Sequence, residues 1–188
     1  MGVLVAYATS RGSTRGIAER LADRLQQHGT PATAASVTDA VDVAGYEAVL
    51  LGSAVHGGKW LPEATRFAYA HADELRQCPL WLFSVSTVGD AESMFPPRVA
   101  NRMRAMRREP DEIAALRVAL RVREHRNFAG AVSPSDWPRA GRAFFRATGG
   151  RYGDCRNWPA IDAWADGIAA ELDEERAAPR HTAGRAAR

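Results

Sequence analysis

Short, nearly uninterrupted apolar runs, separated by stretches of helical periodicity, constrain this chain more than any other feature. Four runs read as strands: Val3–Ala8, Ala48–Leu51, Leu80–Val85 and Phe128–Val132. Continuous apolarity, rather than alternation, is what strands covered on both faces show. A weaker run, Ala32–Val37, fits an edge strand. Helical patterns fall between the runs. Thr14–Gln27 places Ile17, Leu21 and Leu25 on one face, and Pro62–Leu75 opens on a proline suited to a first helical turn. Pro97–Arg108 carries Val99, Met103 and Met106 on a stripe; Pro159–Leu172 carries Ile161, Trp164, Ala165, Ile168 and Leu172. Strand alternating with helix predicts an α/β protein: a doubly wound, five-stranded parallel sheet with helices on both faces. The expected strand order is 2-1-3-4-5, with a ligand at the carboxyl ends of the strands beside the switch point.

The first strand–helix junction is Thr9-Ser10-Arg11-Gly12-Ser13-Thr14. Free N–H groups at a helix N-terminus, together with the helix dipole, favour an anion there. Short hydroxyl side chains add donors without crowding it. The turn lacks the Gly-x-x-x-x-Gly-Lys-Ser/Thr pattern of a nucleoside triphosphatase and the Gly-x-Gly-x-x-Gly of a dinucleotide site. Its mostly neutral donors suit a monophosphate. The plain alternative is a helix cap supplied by Ser13 or Ser10, but one capping residue would suffice and this turn carries four hydroxyls.

With 188 residues the chain is long enough for one domain with a sizeable core. We expect that domain over 1–176, followed by a disordered Ala/Arg-rich tail over 177–188. Asp111–Arg123 is open between loop and short helix. Ser133–Arg151 carries Trp137 and a short helix over Arg139–Ala147. No apolar stretch approaches the roughly 18 residues of a membrane span, and no signal-peptide pattern precedes the first strand. Cys78 and Cys155 lie far apart and have no metal-site spacing, so ordinary thiols and a cytoplasmic location are expected. His56 and His125 read as surface histidines, and no metal is expected. Charge is uneven: thirteen arginines face five acids between Met94 and Arg151, a local net of +8 in a chain of net +3. Such a half suits acidic partners, among them carboxylate-bearing substrates and anionic lipid; the plain alternative is a solvated arginine-rich face. No specific nucleic-acid site is expected, and a homo-oligomer is compatible with the sequence.

If strands one, three and four run together, their following loops converge. These loops are Thr9–Thr14, Gly52–Trp60 and Ser86–Asp90. A planar ring needs close backbone approach at its edge and an apolar wall at its face. Gly57, Gly58 and Gly89 are candidates for the first and Trp60 for the second, unless Trp60 packs the following helix onto the sheet. Ser53, Ala54, Val55, His56, Ser86, Thr87, Val88 and Asp90 complete the candidate cofactor site with Thr9, Ser10, Arg11, Gly12, Ser13 and Thr14.

These loops and their order resemble the flavodoxin family, whose members bind FMN. Further likeness lies in Tyr7–Ala18, in Gly52-Ser53-Ala54-Val55 with Trp60 after it, in Phe83-Ser84-Val85 and Phe128-Ala129-Gly130-Ala131, and in Thr148-Gly149-Gly150 ahead of Asp154. In these features the chain is similar to the flavodoxin-type protoporphyrinogen IX dehydrogenases, which pass electrons to a quinone. Arg11 stands where many flavodoxins carry a hydroxyl, and Gly57 where that branch often has an aromatic residue. The resemblance implies that FMN carries the redox chemistry, its phosphate on the first loop and its ring edge against the second and third. It implies a porphyrinogen or other small redox substrate and a membrane quinone. Alternatives are an FMN electron carrier or quinone reductase with another substrate, or a flavin-free interaction module of the same fold. Arg98, Arg102, Arg139 and Arg142 are candidates to meet substrate carboxylates or the inner face of a membrane. Asp90 is expected to disfavour an anionic reduced flavin.

Overall fold

The computed structural model describes residues 2–39, 42–136 and 138–178; Trp137 lies outside them. The parallel strands are β1 (Gly2–Ala8), β2 (Ala32–Ser36), β3 (Tyr46–His56), β5 (Leu80–Ser86) and β6 (Val122–Ala129), and a short β4 (Lys59–Trp60) folds back on β3. A small antiparallel pair joins β7 (Ala131–Val132) to β8 (Gly153–Asp154). The helices are α1 (Ser13–Gln27), α2 (Pro62–Ala70), α3 (Ala72–Leu75), α4 (Pro97–Met106), α5 (Asp111–Ala119), α6 (Arg139–Ala147) and α7 (Trp158–Ala177). The main sheet runs β2-β1-β3-β5-β6, the expected order counted over its five parallel strands.

Strand periodicity sorts the core into two halves. Val3, Val5 and Tyr7 point to one face and pack with Ile17, Leu21 and Leu25 of α1 and Ile161, Trp164 and Ile168 of α7. Leu4, Ala6 and Ala8 point to the other, against Ala64 and Phe67 of α2, Leu75 of α3 and Ile113 and Leu116 of α5. Both faces of the central strands are covered, hence their unbroken apolarity. Gly52 is required in the middle of β3. It pairs with Phe83 of β5, whose ring would overlap any Cβ at that position.

The fifth parallel strand departs from expectation. It runs over Val122–Ala129 rather than Phe128–Val132, because it is an edge strand whose first half carries the polar residues Arg123, Glu124, His125 and Arg126, exposed or half-buried. The residues read as its end, Ala131–Val132, belong to the separate two-stranded pair. The Pro62–Leu75 pattern breaks into α2 and α3 at His71, and Asp111–Ala119 is helical. Helix α7 continues past Leu172 to Ala177. Residues 179–188, most of the expected tail, lie outside the described residues. Among the described residues no helix is long and apolar enough to cross a membrane.

Two forked arginine–carboxylate pairs fasten α7 to α1. Arg20 meets Asp162 at 2.7 and 2.6 Å, and Arg24 meets Asp166 at 2.6 and 3.0 Å. The Arg24 hydrogen bonds hold the Asp166 carboxyl down from 3.8 to about 2, helped by His28 at 2.8 Å. A depressed carboxyl stabilises the fold above its unfolded value and loses that contribution as pH falls through the folded one. Asp166→Asn should therefore melt earlier than the parent near neutrality, by a modest amount because the pair is partly solvated. The gap should close as pH falls from about 4 to about 2. Thermal melts across that range check it; a gap independent of pH would assign the loss to packing.

Candidate functional site

The loops that follow β1, β3 and β5 meet at one edge of the sheet around a cleft of about 590 Å³, a size suited to a cofactor or small ligand. In the first loop the four hydroxyls divide by role. Thr9 Oγ1 accepts the Gly12 N–H at 3.0 Å, closing the turn. Ser10 Oγ lies 3.3 Å from His56 Nε2 across the mouth. Ser13 Oγ accepts the Ala131 N–H at 2.8 Å and so ties α1 to β7. Thr14 Oγ1 is buried, lines the cleft through its residue, and has no hydrogen-bond partner among the described residues. Gly12, at φ 85°, precedes α1 with no side-chain cap, which leaves the first N–H groups of the helix without a side-chain acceptor. Capping by Ser13 or Ser10 is thus not what the turn is for. Arg11 also lines the cleft; it is 58% exposed and stands 3.8 Å from Asp136.

The second loop is a tight hairpin. His56 pairs with Lys59, and Gly57 and Gly58 take φ 59° and 81° between them. Two positive φ angles are what a two-residue turn matched to strand twist demands, and glycine supplies them without strain. Ala54, Val55, His56, Gly57 and Gly58 line the cleft. Ser53 and Trp60 do not. Ser53 Oγ accepts the Leu61 N–H at 3.0 Å and steadies the entry to α2. Trp60 is 3% exposed and packs in the core, so the wall expected of it is turned inward.

A buried polar chain starts at that tryptophan. Trp60 Nε1 donates to Ser84 Oγ at 2.8 Å, and Ser84 Oγ lies 2.8 Å from His125 Nε2. His125 Nδ1 stands 3.6 Å from Glu109, which accepts from Arg117 Nε at 3.0 Å. The expected surface histidine is instead interior, its side chain 5% exposed, and burial pushes its pKa below 6.5. A neutral ring follows. The Glu109 carboxylate facing Nδ1 favours the ring proton there, which leaves Nε2 to accept the Ser84 hydroxyl. Serine, histidine and glutamate in this order resemble a hydrolase constellation. Ser84 is 1% exposed, however, and its oxygen is occupied, so no substrate carbonyl reaches it.

In the third loop, Ser86, Thr87 and Val88 line the cleft, whereas Gly89 and Asp90 face β6. A Cβ on Gly89 would collide with the backbone of Phe128 and Ala129. Asp90 N donates to the Asn127 carbonyl at 2.8 Å and its Oδ2 accepts the Asn127 N–H at 2.9 Å. Arg107 meets Asp90 at 2.8 Å, so the bare carboxylate expected beside a flavin is compensated. Arg104 adds hydrogen bonds to the carbonyls of Gly89 and Ala91 at 2.8 and 2.7 Å. Arg98, Arg102, Arg139 and Arg142 are not brought to the cleft. It is lined further by Met103, Arg107, Arg108 and Pro110 and by Asn127, Gly130 and Val132. None of these was read from sequence as a site residue. The detectable signal was Arg107-Arg108-Glu109-Pro110, a charged break between two helical patterns.

Fold and site together define a doubly wound α/β protein with a cleft at the switch point. The chain belongs to the flavodoxin family: the flavodoxin domain model matches residues 4–139. Over 132 residues it is 27% identical to protoporphyrinogen IX dehydrogenase [quinone] of Escherichia coli K12, covering 67% of this chain and 73% of that one. Rubredoxin oxygen:oxidoreductase of Desulfovibrio gigas superposes with a TM-score of 0.59 at 15% identity, over 94% of this chain but 37% of that longer one. A flavodoxin of Streptococcus pneumoniae TIGR4 gives 0.56 at 14% identity, over 91% of this chain and 99% of that one. Family and fold imply a flavin and oxidoreductase chemistry. The first loop fits the phosphate of such a group, since the buried Thr14 hydroxyl lacks a partner at the N-terminus of α1.

Proposed function

We propose that the protein is an FMN-dependent oxidoreductase that takes hydrogens from a porphyrinogen-type donor and delivers them to a quinone. The observation that carries the flavin reading is the unpartnered Thr14 hydroxyl, 0% exposed as a residue, at the uncapped start of α1. A monophosphate suits this cradle, because the turn offers neutral hydroxyls and helix N–H groups and has no glycine motif of a dinucleotide site. Thr9–Thr14 would hold the phosphate, while Ala54–Gly58 and Ser86–Val88 would flank the ring. When bound, FMN supplies the electron-accepting and electron-donating chemistry. The chain's own part is to bind it, exclude water and set the local charge. Each pair of hydrogens removed from the donor would reduce one quinone to its quinol.

The donor and acceptor are supported by the likeness to the Escherichia coli dehydrogenase and by charge. Three arginines but one carboxylate, Asp136, line the cleft, which favours an acidic donor. The test is a visible spectrum before and after adding FMN, followed by anaerobic protoporphyrinogen IX with menaquinone. A flavin spectrum that survives desalting, and porphyrin fluorescence that appears only with the quinone, are the expected results. A colourless protein that releases added FMN would remove the redox reading. A yellow protein inert to the porphyrinogen would leave an FMN protein with another donor.

A further inference from the structure

The chain leaves α4 in an extended conformation, with Arg107 at φ −64°, ψ 125° and Pro110 at φ −52°, ψ 137°. Its side chains have divided roles. Arg107 is committed to the third loop, through Asp90 at 2.8 Å and the Val88 carbonyl at 2.5 Å. Glu109 turns to Arg117 and His125. Arg108 lines the cleft and is exposed, and among the described residues it makes no hydrogen bond or ion pair. The acid next to it in sequence therefore serves other groups. Arg11 has Asp136 nearby, so among the described residues Arg108 is the uncompensated arginine of the cleft wall. Met103, 40% exposed, and the buried Pro110 line the same cleft.

We propose that Arg108 determines substrate specificity by receiving a carboxylate of a largely apolar macrocyclic donor whose body lies on Met103. The inference rests on the donor class proposed above. A guanidinium fork matches a carboxylate in two parallel hydrogen bonds, which an ammonium cannot reproduce. The exposed Met103 thioether offers an adaptable apolar surface to a puckered macrocycle. A donor with both features gains from both; one with its acid masked keeps only the apolar contact.

The experiment uses the FMN-loaded protein and fluorescence titration. Probes are protoporphyrin IX and its dimethyl ester, on the parent, Arg108→Gln and, as a surface control, Arg66→Gln on α2. The parent should prefer the free acid. Arg108→Gln should weaken the acid about ten- to hundred-fold and leave the ester unchanged, and added salt should shrink the parent's preference. Arg66→Gln should match the parent, and FMN affinity should be the same in all three. An acid-over-ester preference that survives Arg108→Gln overturns the proposal. So does a fall in FMN affinity by the same factor, which would give Arg108 to the flavin. If neither porphyrin binds, 2-naphthoate and its methyl ester decide. Arg108-dependent discrimination between them keeps the carboxylate anchor and removes the porphyrinogen reading; no discrimination removes the anchor.

Discussion

Replacing Trp60 by alanine is expected to lower the stability of the fold by about 3–5 kcal/mol, the cost of deleting a buried aromatic side chain. For a domain of this size that corresponds to a melting temperature lower by roughly 6–20 °C. The molecules that remain folded should keep a bound flavin with an unaltered absorption band. The reason lies in where the indole sits: 3% exposed, among Leu51, Ala64 and Phe67, beneath the hairpin rather than in the cleft. Trp60→Phe separates packing from polarity. It keeps most of the ring but deprives Ser84 Oγ of the 2.8 Å donor, a loss of about 1 kcal/mol. The opposite pattern, an unchanged melt with a shifted or missing flavin band, would return Trp60 to the cofactor wall.

Thr14→Val should weaken FMN binding about 10- to 100-fold, the value of a hydrogen bond from a buried hydroxyl to a charged group, about 1.5–3 kcal/mol. The flavin-free protein should be no less stable than the parent. Thr14 Oγ1 has no partner to lose, and an unpaired buried oxygen is a cost that valine removes. Ser13→Ala makes the contrast, for it breaks the 2.8 Å bond to the Ala131 N–H and should weaken the junction of α1 with β7 even without flavin. Isothermal titration with FMN, paired with melts of the flavin-free proteins, measures both halves. Equal FMN affinity for Thr14→Val and parent would put the phosphate elsewhere.

The central strands were legible because both faces of β1, β3 and β5 are buried and their residues say so. The edge strand β6 was displaced in the reading, since Arg123, Glu124 and Arg126 interrupt the apolar signal between Val122 and Phe128. The turn after β1 was legible as a strand–helix junction because its signal is local: a strand, four hydroxyls and a helix start within a few residues. The Met103–Pro110 side of the cleft was not. Met103, Arg107, Arg108 and Pro110 follow no strand end, and only the clasp of Arg104 and Arg107 on the third loop brings them there. Trp60 fits two sequence descriptions equally, a ring wall after Gly57-Gly58 or a core residue before a helix, and tertiary burial decides between them.

The chain of Trp60, Ser84, His125 and Glu109 spans from the hairpin to the segment between α4 and α5, crossing two strands of the sheet. A partly satisfied version of such a chain is costly in a dry interior, so its members hold or release together. The two lips of the cleft, Val55–Gly58 on one side and Arg107–Pro110 on the other, are consequently mechanically joined although no backbone hydrogen bond links them directly. In amide hydrogen exchange they should behave as one opening unit with a common protection level, separate from the more strongly protected centre of β1 and β3. Access to the cleft is then governed from inside the core rather than by either loop alone.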